Sequence, residues 1–396
     1  MHTNPIIEML GRRLRLAVIG GGPGSFIGAM HRAAARLDDR YELVAGALSS
    51  DPDRSRSAGI GIGLSPGRSY GNALELLEAE AGREDAADVV AIMTPNDSHH
   101  AYSSAALEGG FDVISDKPIT NTLAEALDLV EMVRRTGLVF CLTHNYTGYP
   151  MVRQARAMVE DGQLGEIRLV QVEYVQGGKA GGDDPDPALT LPWRYDPVRG
   201  GPSLVMGDIG SHAHNLVRFI TGIEVSEVAA EVGAIVPNRL AHDYAAAMLR
   251  FDNGGRGVFW VTQAAAGVEN ALRIRVSGTL GSLEWQQEQP TLLVFRPLVG
   301  PAQMRTPNGS GTLPLSTRAT RIGAGHPEGF HEGFANLYSD AAEAIAARRS
   351  GNQPDPLALH FPNAVDGAIG VKFVEAAIAS SAAGGRWTSA LLDLSG

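Results

Sequence analysis

A short apolar run, Leu16 to Ile19, leads straight into Gly20-Gly21-Gly22-Pro23-Gly24-Ser25-Phe26-Ile27-Gly28, after which the chain turns alanine-rich and helix-like. Strand, glycine turn and helix in that order leave few folds open. Glycine is needed where a turn takes positive φ or where backbone must lie close to a bound pyrophosphate. The helix start then supplies N–H donors and the positive end of its dipole. The segment predicts a dinucleotide site over Gly20, Gly22, Gly24, Ser25, Phe26 and Ile27. Its spacing is irregular, because Gly20 and Gly22 are followed by Gly28 rather than by a glycine at position 25. A tight βα turn without a ligand is the bland alternative.

The context of the turn supports the ligand. Leu43 to Leu48, Val89 to Met93, Val113 to Ser115 and Val139 to Thr143 read as further strands. Unbroken apolar runs of this kind suit strands buried on both faces of a parallel sheet. Helical stretches lie between them, from Ala29 to Leu37, Ser98 to Glu108 and Thr122 to Arg135. The fold class is α/β, a Rossmann doubly wound parallel sheet.

After about Pro150 the pattern changes. Helices are expected from Met151 to Glu160 and from about Asp208 to Thr221, with a long Gly/Asp/Pro-rich loop from Gly177 to Ser203. Asp183, Asp184 and Asp186 in that loop read as solvated. Extended segments then recur: Ile167 to Gln176, Val225 to Val236, Tyr244 to Phe251, Gly257 to Ala265, Arg273 to Ser277, Ser282 to Gln286 and Leu292 to Phe295. Asn253-Gly254-Gly255 is a strong turn signal between two of them. Helices near Phe330 to Arg349 and Asn363 to Ser381 close the chain. The expected division is a 1–13 extension, a 14–147 dinucleotide-binding domain and a 148–396 α+β domain with a largely antiparallel, open-faced sheet. That open face favours a homodimer or homotetramer.

Composition narrows the partners. With 44% hydrophobic and 19% charged residues in 396, the chain suits a two-domain globular protein. A net charge of −11 argues against nucleic acid or an anionic membrane, both of which need a basic face. Cys141 is the single cysteine and sits in an apolar run, so it reads as a packed thiol in a reducing, cytoplasmic setting.

An acid about twenty residues beyond the turn would bind the ribose hydroxyls of NAD. The second strand instead ends Leu48-Ser49-Ser50-Asp51. Ser49 and Ser50 near Arg54 suit a 2′-phosphate, which leans the reading to NADP, while Asp51 leaves NAD open.

Two segments sharpen the reading. Thr94-Pro95-Asn96-Asp97-Ser98-His99 and Ser115-Asp116-Lys117-Pro118 both follow strands, at the carboxyl edge where a doubly wound sheet binds its ligand. With the glycine turn they resemble the glucose–fructose oxidoreductase / inositol dehydrogenase / MocA family, whose Glu-Lys-Pro stands here as Asp116-Lys117-Pro118. The resemblance extends over nearly the whole chain. It implies that Thr94, Pro95, Asn96, His99, Asp116 and Asn145 line the cofactor path and that Lys117 lies near nicotinamide and substrate. A lone lysine after a strand is ordinarily a surface residue.

In the second domain, Gly207-Asp208-Ile209-Gly210-Ser211-His212 matches the family's Asp and His. The resemblance implies His212 as the base that takes the substrate hydroxyl proton, with Asp208 binding a hydroxyl or orienting that base. At a helix start, Asp208 and His212 would share one face. The chemistry agrees, since hydride leaves carbon readily only as the hydroxyl proton is removed. Lys117 would stabilise the developing negative charge. His212-Ala213-His214 hints at a metal, but i,i+2 positions on a helix face apart, and no metal is expected. Tyr149 and Arg194 are further substrate-binding candidates, and Gly325 to Glu332 is a polar segment without an assigned role.

These residues imply an NAD(P)-dependent dehydrogenase that reversibly oxidises a secondary hydroxyl of a sugar, sugar derivative or cyclitol. A glycoside hydrolase using transient oxidation by bound NAD is one alternative. A dinucleotide-sensing regulator without chemistry is another.

Overall fold

The computed structural model describes residues 4–394 except 182–183 and 187–188, so Asp183 lies outside the described residues. The chain folds as two compact units. The first comprises Met1–Thr120, Ala124–Gly148 and Phe330–Gly367, and the second Asn121–Leu123, Tyr149–Gly329 and Ala368–Gly396.

Among the described residues the first unit holds five parallel strands, β1 (Leu14–Gly20), β2 (Tyr41–Ala47), β3 (Val89–Met93), β4 (Asp112–Ser115) and β5 (Phe140–Leu142), in the order β2-β1-β3-β4-β5. Every residue of β3 is buried, which is why it reads as an unbroken apolar run. An isolated parallel bridge from Gly46 to Ser69 marks a rudimentary neighbour beyond β2. The chain leaves β1 to one side for β2 and returns to its other side for β3. That reversal opens a crevice at the carboxyl ends of β1 and β3, where such sheets bind ligands.

The helix Phe330–Ser350 belongs to this first unit, although its place in the sequence put it with the second. Phe334, Ala335, Leu337, Tyr338, Ala341 and Ile345 join Leu14, Leu16 and Val18 of β1 in one core. Polar bonds fix its register. Tyr41 donates its hydroxyl to the Tyr338 carbonyl at 2.7 Å, and Arg348 pairs with the buried Asp112 at 2.7 Å. Neither contact leaves a local trace in sequence. The short helix Pro5–Leu10, read only as an extension, also packs here through fully buried Ile6.

Among the described residues the second unit is built on nine strands: β6 (Ile167–Val175), β7 (Val225–Gly233), β8 (Tyr244–Phe251), β9 (Arg256–Thr262), β10 (Ala271–Gly278), β11 (Gly281–Gln286), β12 (Leu293–Pro297), β13 (Gln303–Arg305) and β14 (Thr388–Ser389). Their order is β13-β12-β11-β10-β6-β9-β8-β7-β14, antiparallel except where β6 runs parallel to β9. One face buries Val170, Val172 and Tyr174 of β6 with Phe259 and Val261 of β9. Phe259 packs edge-on against Phe373 of the helix Ala364–Ala382, with ring centroids 5.3 Å apart. The other face exposes Leu169, Met248, Val258 and Trp260.

The loop after β6 departs from expectation. Asp184, read as solvated, is paired with Arg239 at 3.0 Å, and both side chains are largely buried. Arg239 also donates to the carbonyls of Lys179, at 2.7 Å, and Gly181, at 2.5 Å. A single guanidinium thus offers several donors to one stretch of loop backbone. Among the described residues no helix is long and apolar enough to cross a membrane.

Candidate functional site

In the first unit the glycine turn explains its own spacing. Ser25 caps the helix Phe26–Leu37, its hydroxyl accepting from the Gly28 N–H at 3.1 Å. A Cβ on Gly28 would collide with the Gly21 backbone, so Gly28 takes the close-packing role that the regular fingerprint gives to an earlier glycine. Pro23 and Gly24 form the extra length. Gly24 (φ 84°) has nothing within 4 Å of a would-be Cβ, and the exposed Phe26 starts the helix beside it. Gly22 lies so close to the Leu48 carbonyl that no side chain fits.

A cavity of about 420 Å³ adjoins this turn, lined by Gly22, Pro23, Leu48, Arg32, Arg54 and Ser57 among others. Arg32 donates to the Gly21 carbonyl at 2.6 Å. Burial, and then the neighbouring Arg36, lowers its pKa. Arg32 was absent from the sequence reading, because nothing local distinguishes it from any helix-surface arginine. Asp51, the nearest acid to the ribose slot, caps the helix Pro52–Gly61 by accepting from the Arg54 N–H at 2.8 Å. Ser49 is half-buried and Ser50 exposed beside it.

The strand-end loops are tied to one another. His99, expected along the cofactor path, is fully buried. Its ring nitrogens lie 2.7 Å from the Pro118 carbonyl and 2.9 Å from the Thr94 carbonyl, so it braces both loops from beneath. Ser98 donates to the Pro95 carbonyl at 2.8 Å, and Asn96 is buried beside it. Asp116 accepts from the Thr143 hydroxyl at 2.9 Å and from the Lys117 N–H at 3.0 Å, and the peptide that follows, Lys117–Pro118, is cis. The carboxylate therefore shapes the loop that carries Lys117, whose side chain is half-buried. Just beyond β5, Asn145 is buried with its amide nitrogen lacking any hydrogen-bond partner among the described residues. A buried donor left open is costly unless a ligand completes it. The side-chain-free turn and this waiting donor fit a dinucleotide.

The second unit contributes Asp208 and His212. The expected regular helix from Asp208 to Thr221 is interrupted at its start. Met206–Gly210 forms a π-turn, with the Ser211 N–H donating to the Met206 carbonyl, and the α-helix runs from Ser211 to Thr221. Asp208 stands in the wide turn and His212 in the first turn of the regular helix. Such π-turns often sit at functional sites. His212 is buried, its ring edge-on to Tyr174 at 6.4 Å. His214 stacks flat on Phe373 at 4.2 Å, so the two histidines serve different surroundings.

Asp208 accepts from Gln263 Nε2 at 2.9 Å. The same nitrogen donates to Gln176 Oε1 at 3.2 Å, and Gln176 Nε2 donates to Asn270 Oδ1 at 2.7 Å. The Tyr174 hydroxyl donates to that same Asn270 oxygen at 2.8 Å. Sequence reasoning missed these amides. A signal existed, because alternation along β9 carries Phe259 and Val261 inward and so places Gln263 on the buried face.

Of the remaining candidates, Tyr149 is wholly buried with its ring 5.6 Å from Trp285, packing the interior of the second unit. Arg194 is exposed, its guanidinium 4.3 Å over the Trp193 ring. In the polar segment, Glu328 is buried and accepts from the Arg321 N–H at 3.1 Å, which makes it a loop staple. His326 is exposed.

Comparison with known proteins places the two units in one family. The oxidoreductase family model with an NAD-binding Rossmann fold matches residues 14–144, and the GFO/IDH/MocA C-terminal domain model matches residues 152–284. An uncharacterized oxidoreductase, YfiI of Bacillus subtilis, is 31% identical over 383 residues, covering 96% of this chain and 98% of that protein. The crystal structure of an oxidoreductase from Sinorhizobium meliloti is 44% identical, with a TM-score of 0.86, covering 95% of this chain and 99% of the other. An inositol dehydrogenase homologue from Azotobacter vinelandii, complexed with NADH and myo-inositol, is 35% identical. Its TM-score is 0.87, and the match covers 96% of this chain and 98% of that one. With an NAD-binding Rossmann unit followed by the family's own C-terminal domain, the chain is an oxidoreductase of the Gfo/Idh/MocA family.

Proposed function

We propose that the protein is an NAD(P)-dependent dehydrogenase that reversibly oxidises a secondary hydroxyl of a sugar, sugar derivative or cyclitol. The observation that carries this reading is the polar set around Asp208. A carboxylate, a histidine and three side-chain amides within one unit suit a ring bearing several hydroxyls better than an apolar substrate. The Azotobacter homologue, with NADH and myo-inositol bound, points to the same class.

Bound at the glycine turn, NAD(P) supplies the hydride acceptor. Gly20, Gly22, Gly24 and Ser25 offer backbone to its pyrophosphate, and Thr94, Pro95, Asn96 and Asn145 line its path. Lys117 donates to the reacting oxygen and favours its negative charge. His212 takes the hydroxyl proton as hydride departs, and returns it in the reverse direction. Asp208 accepts from a hydroxyl of the substrate. Arg32 and Arg54, with Ser49 and Ser50, favour NADP over NAD, since Asp51 is engaged in capping its helix.

A cytoplasmic location is the reading that the single buried thiol supports. The apolar residues on the open face of the second sheet support a homodimer or homotetramer.

A panel of sugars and inositols, each offered with NAD and with NADP, tests the activity. The expected result is reduced cofactor, seen by its absorbance, with at least one cyclitol or sugar. Absence of cofactor reduction across the panel would overturn the reading.

A further inference from the structure

We propose that Gln263 is a positioning residue that aims the Asp208 carboxylate and holds it ready for a substrate hydroxyl. The proposal rests on Asp208 having the substrate-side role given above. Asp208 stands in the π-turn Met206–Gly210, outside the regular helix that follows, so its side chain needs a hold from elsewhere. Gln263 supplies that hold from the end of β9.

The donor is fixed on every side. The Gln263 N–H donates to the Asp243 carbonyl at 3.0 Å, and its own carbonyl accepts from the Lys179 N–H at 2.9 Å. Its amide nitrogen has two hydrogens, directed at Asp208 Oδ2, 2.9 Å away, and at Gln176 Oε1, 3.2 Å away. Reversing the amide would set oxygen against oxygen at both contacts, so only one orientation makes these two bonds. Gln176 is itself held, because its nitrogen donates to Asn270 Oδ1 at 2.7 Å while that oxygen also receives the Tyr174 hydroxyl at 2.8 Å. The Gln263 amide hydrogens and the Tyr174 hydroxyl are therefore committed before substrate arrives. The Tyr174 ring lies against His212, so one connected set of side chains reaches both the carboxylate and the histidine.

A hydrogen bond to a charged acceptor in a buried setting is stronger than a neutral one. With one carboxylate oxygen engaged and the rotamer settled, Asp208 meets the substrate hydroxyl without reorganising. Such preorganisation raises turnover as well as binding.

The test is a double-mutant cycle on the full-length protein, assayed with myo-inositol or the panel sugar turned over fastest. Gln263→Leu is expected to lower kcat/KM by about 10- to 100-fold, the loss of one hydrogen bond to a charged group. Dinucleotide affinity, read by NADH fluorescence, should stay within about twofold, because the glycine turn belongs to the other unit. In an Asp208→Ala background the same substitution should add almost nothing, since its target is gone. Additive losses would mean that Gln263 is structural only, and wild-type turnover in Gln263→Leu would also overturn the proposal. Should Gln263→Leu fail to fold, Gln263→Asn, which keeps the amide on a shorter stem, carries the same cycle. An inactive Asp208→Ala beside an active Gln263→Leu sinks this proposal alone, whereas a fully active Asp208→Ala sinks the reading of Asp208 itself.

Discussion

Gly28, in the first turn of the helix Phe26–Leu37, lies against the backbone of Gly21, so closely that a Cβ would strike the Gly21 carbonyl. Helix and glycine turn are thereby packed as one body. Gly28→Ala should separate them, costing about 1–3 kcal/mol of stability and at least roughly tenfold in dinucleotide affinity. Gly24→Ala is the contrast. It meets only the strain of positive φ, with no neighbour to strike, and should cost about 1 kcal/mol. Thermal unfolding and NADH titration measure both, and wild-type affinity in Gly28→Ala would remove the packing argument.

Lys117 follows Asp116, whose carboxylate is fixed by Thr143 and by the Lys117 N–H. Lys117→Ala should lower kcat by about 100- to 1,000-fold, the usual cost of removing one donor aimed at a developing oxyanion. NADH affinity should stay nearly intact, because the glycine turn is untouched. Single-turnover kinetics beside the fluorescence titration separates the two effects. Unchanged turnover would end the proposed chemistry.

The slot where an NAD-binding chain commonly has its acid falls at Leu48 or Ser49, with Arg54 on the following helix. Ser49→Asp should move the NADP-to-NAD ratio of kcat/KM toward NAD by about 10- to 100-fold. The new carboxylate would accept from ribose hydroxyls and repel a 2′-phosphate. A ratio that does not move would show that Ser49 lies away from the 2′ position.

His31 is fully buried between Phe334 and Tyr338, 2.7 Å from the Tyr338 hydroxyl, and burial lowers its pKa from 6.5 to about 4. The unfolded chain therefore binds this proton more readily than the folded one. Stability from the neutral ring is complete above pH 6.5 and drains away as pH falls toward about 4, by roughly 3 kcal/mol in all. The protection factors of amides in the helix Phe26–Leu37, corrected for the intrinsic exchange rate at each pH, should fall over that interval, and His31→Phe should flatten the acid dependence. The four tryptophans all lie in the second unit, so their fluorescence follows the other half of the chain and serves as an internal control. A helix equally acid-sensitive with Phe at position 31 would assign the effect elsewhere.

What could be read from the residues depended on how local the physics is. Val89 to Met93 is recognisable because five consecutive buried side chains must all be apolar, and Tyr244 to Phe251 because an extended, mostly apolar segment is followed by the turn signal Asn253-Gly254-Gly255. Lys117 and Asp208 were legible only through the short motifs around them. The amides at Gln176, Gln263 and Asn270 were not, since a glutamine ending a strand looks the same whether it faces water or a carboxylate.

Sequence alone determined the parallel sheet, the glycine turn after its first strand, the switch to an antiparallel second sheet, and the motifs that carry Lys117 and His212. Each of these is written in neighbouring residues, through burial period, backbone freedom or motif. Tertiary structure alone decided that the helix Phe330–Ser350 completes the first unit, that Gly28 packs on Gly21, and that Gln263 grips Asp208. Arg348 meets Asp112 across 236 positions and Gln263 meets Asp208 across 55. Partners so far apart are chosen by the packed fold, because a hydrogen bond or an ion pair depends on distance in space and leaves no period in the chain.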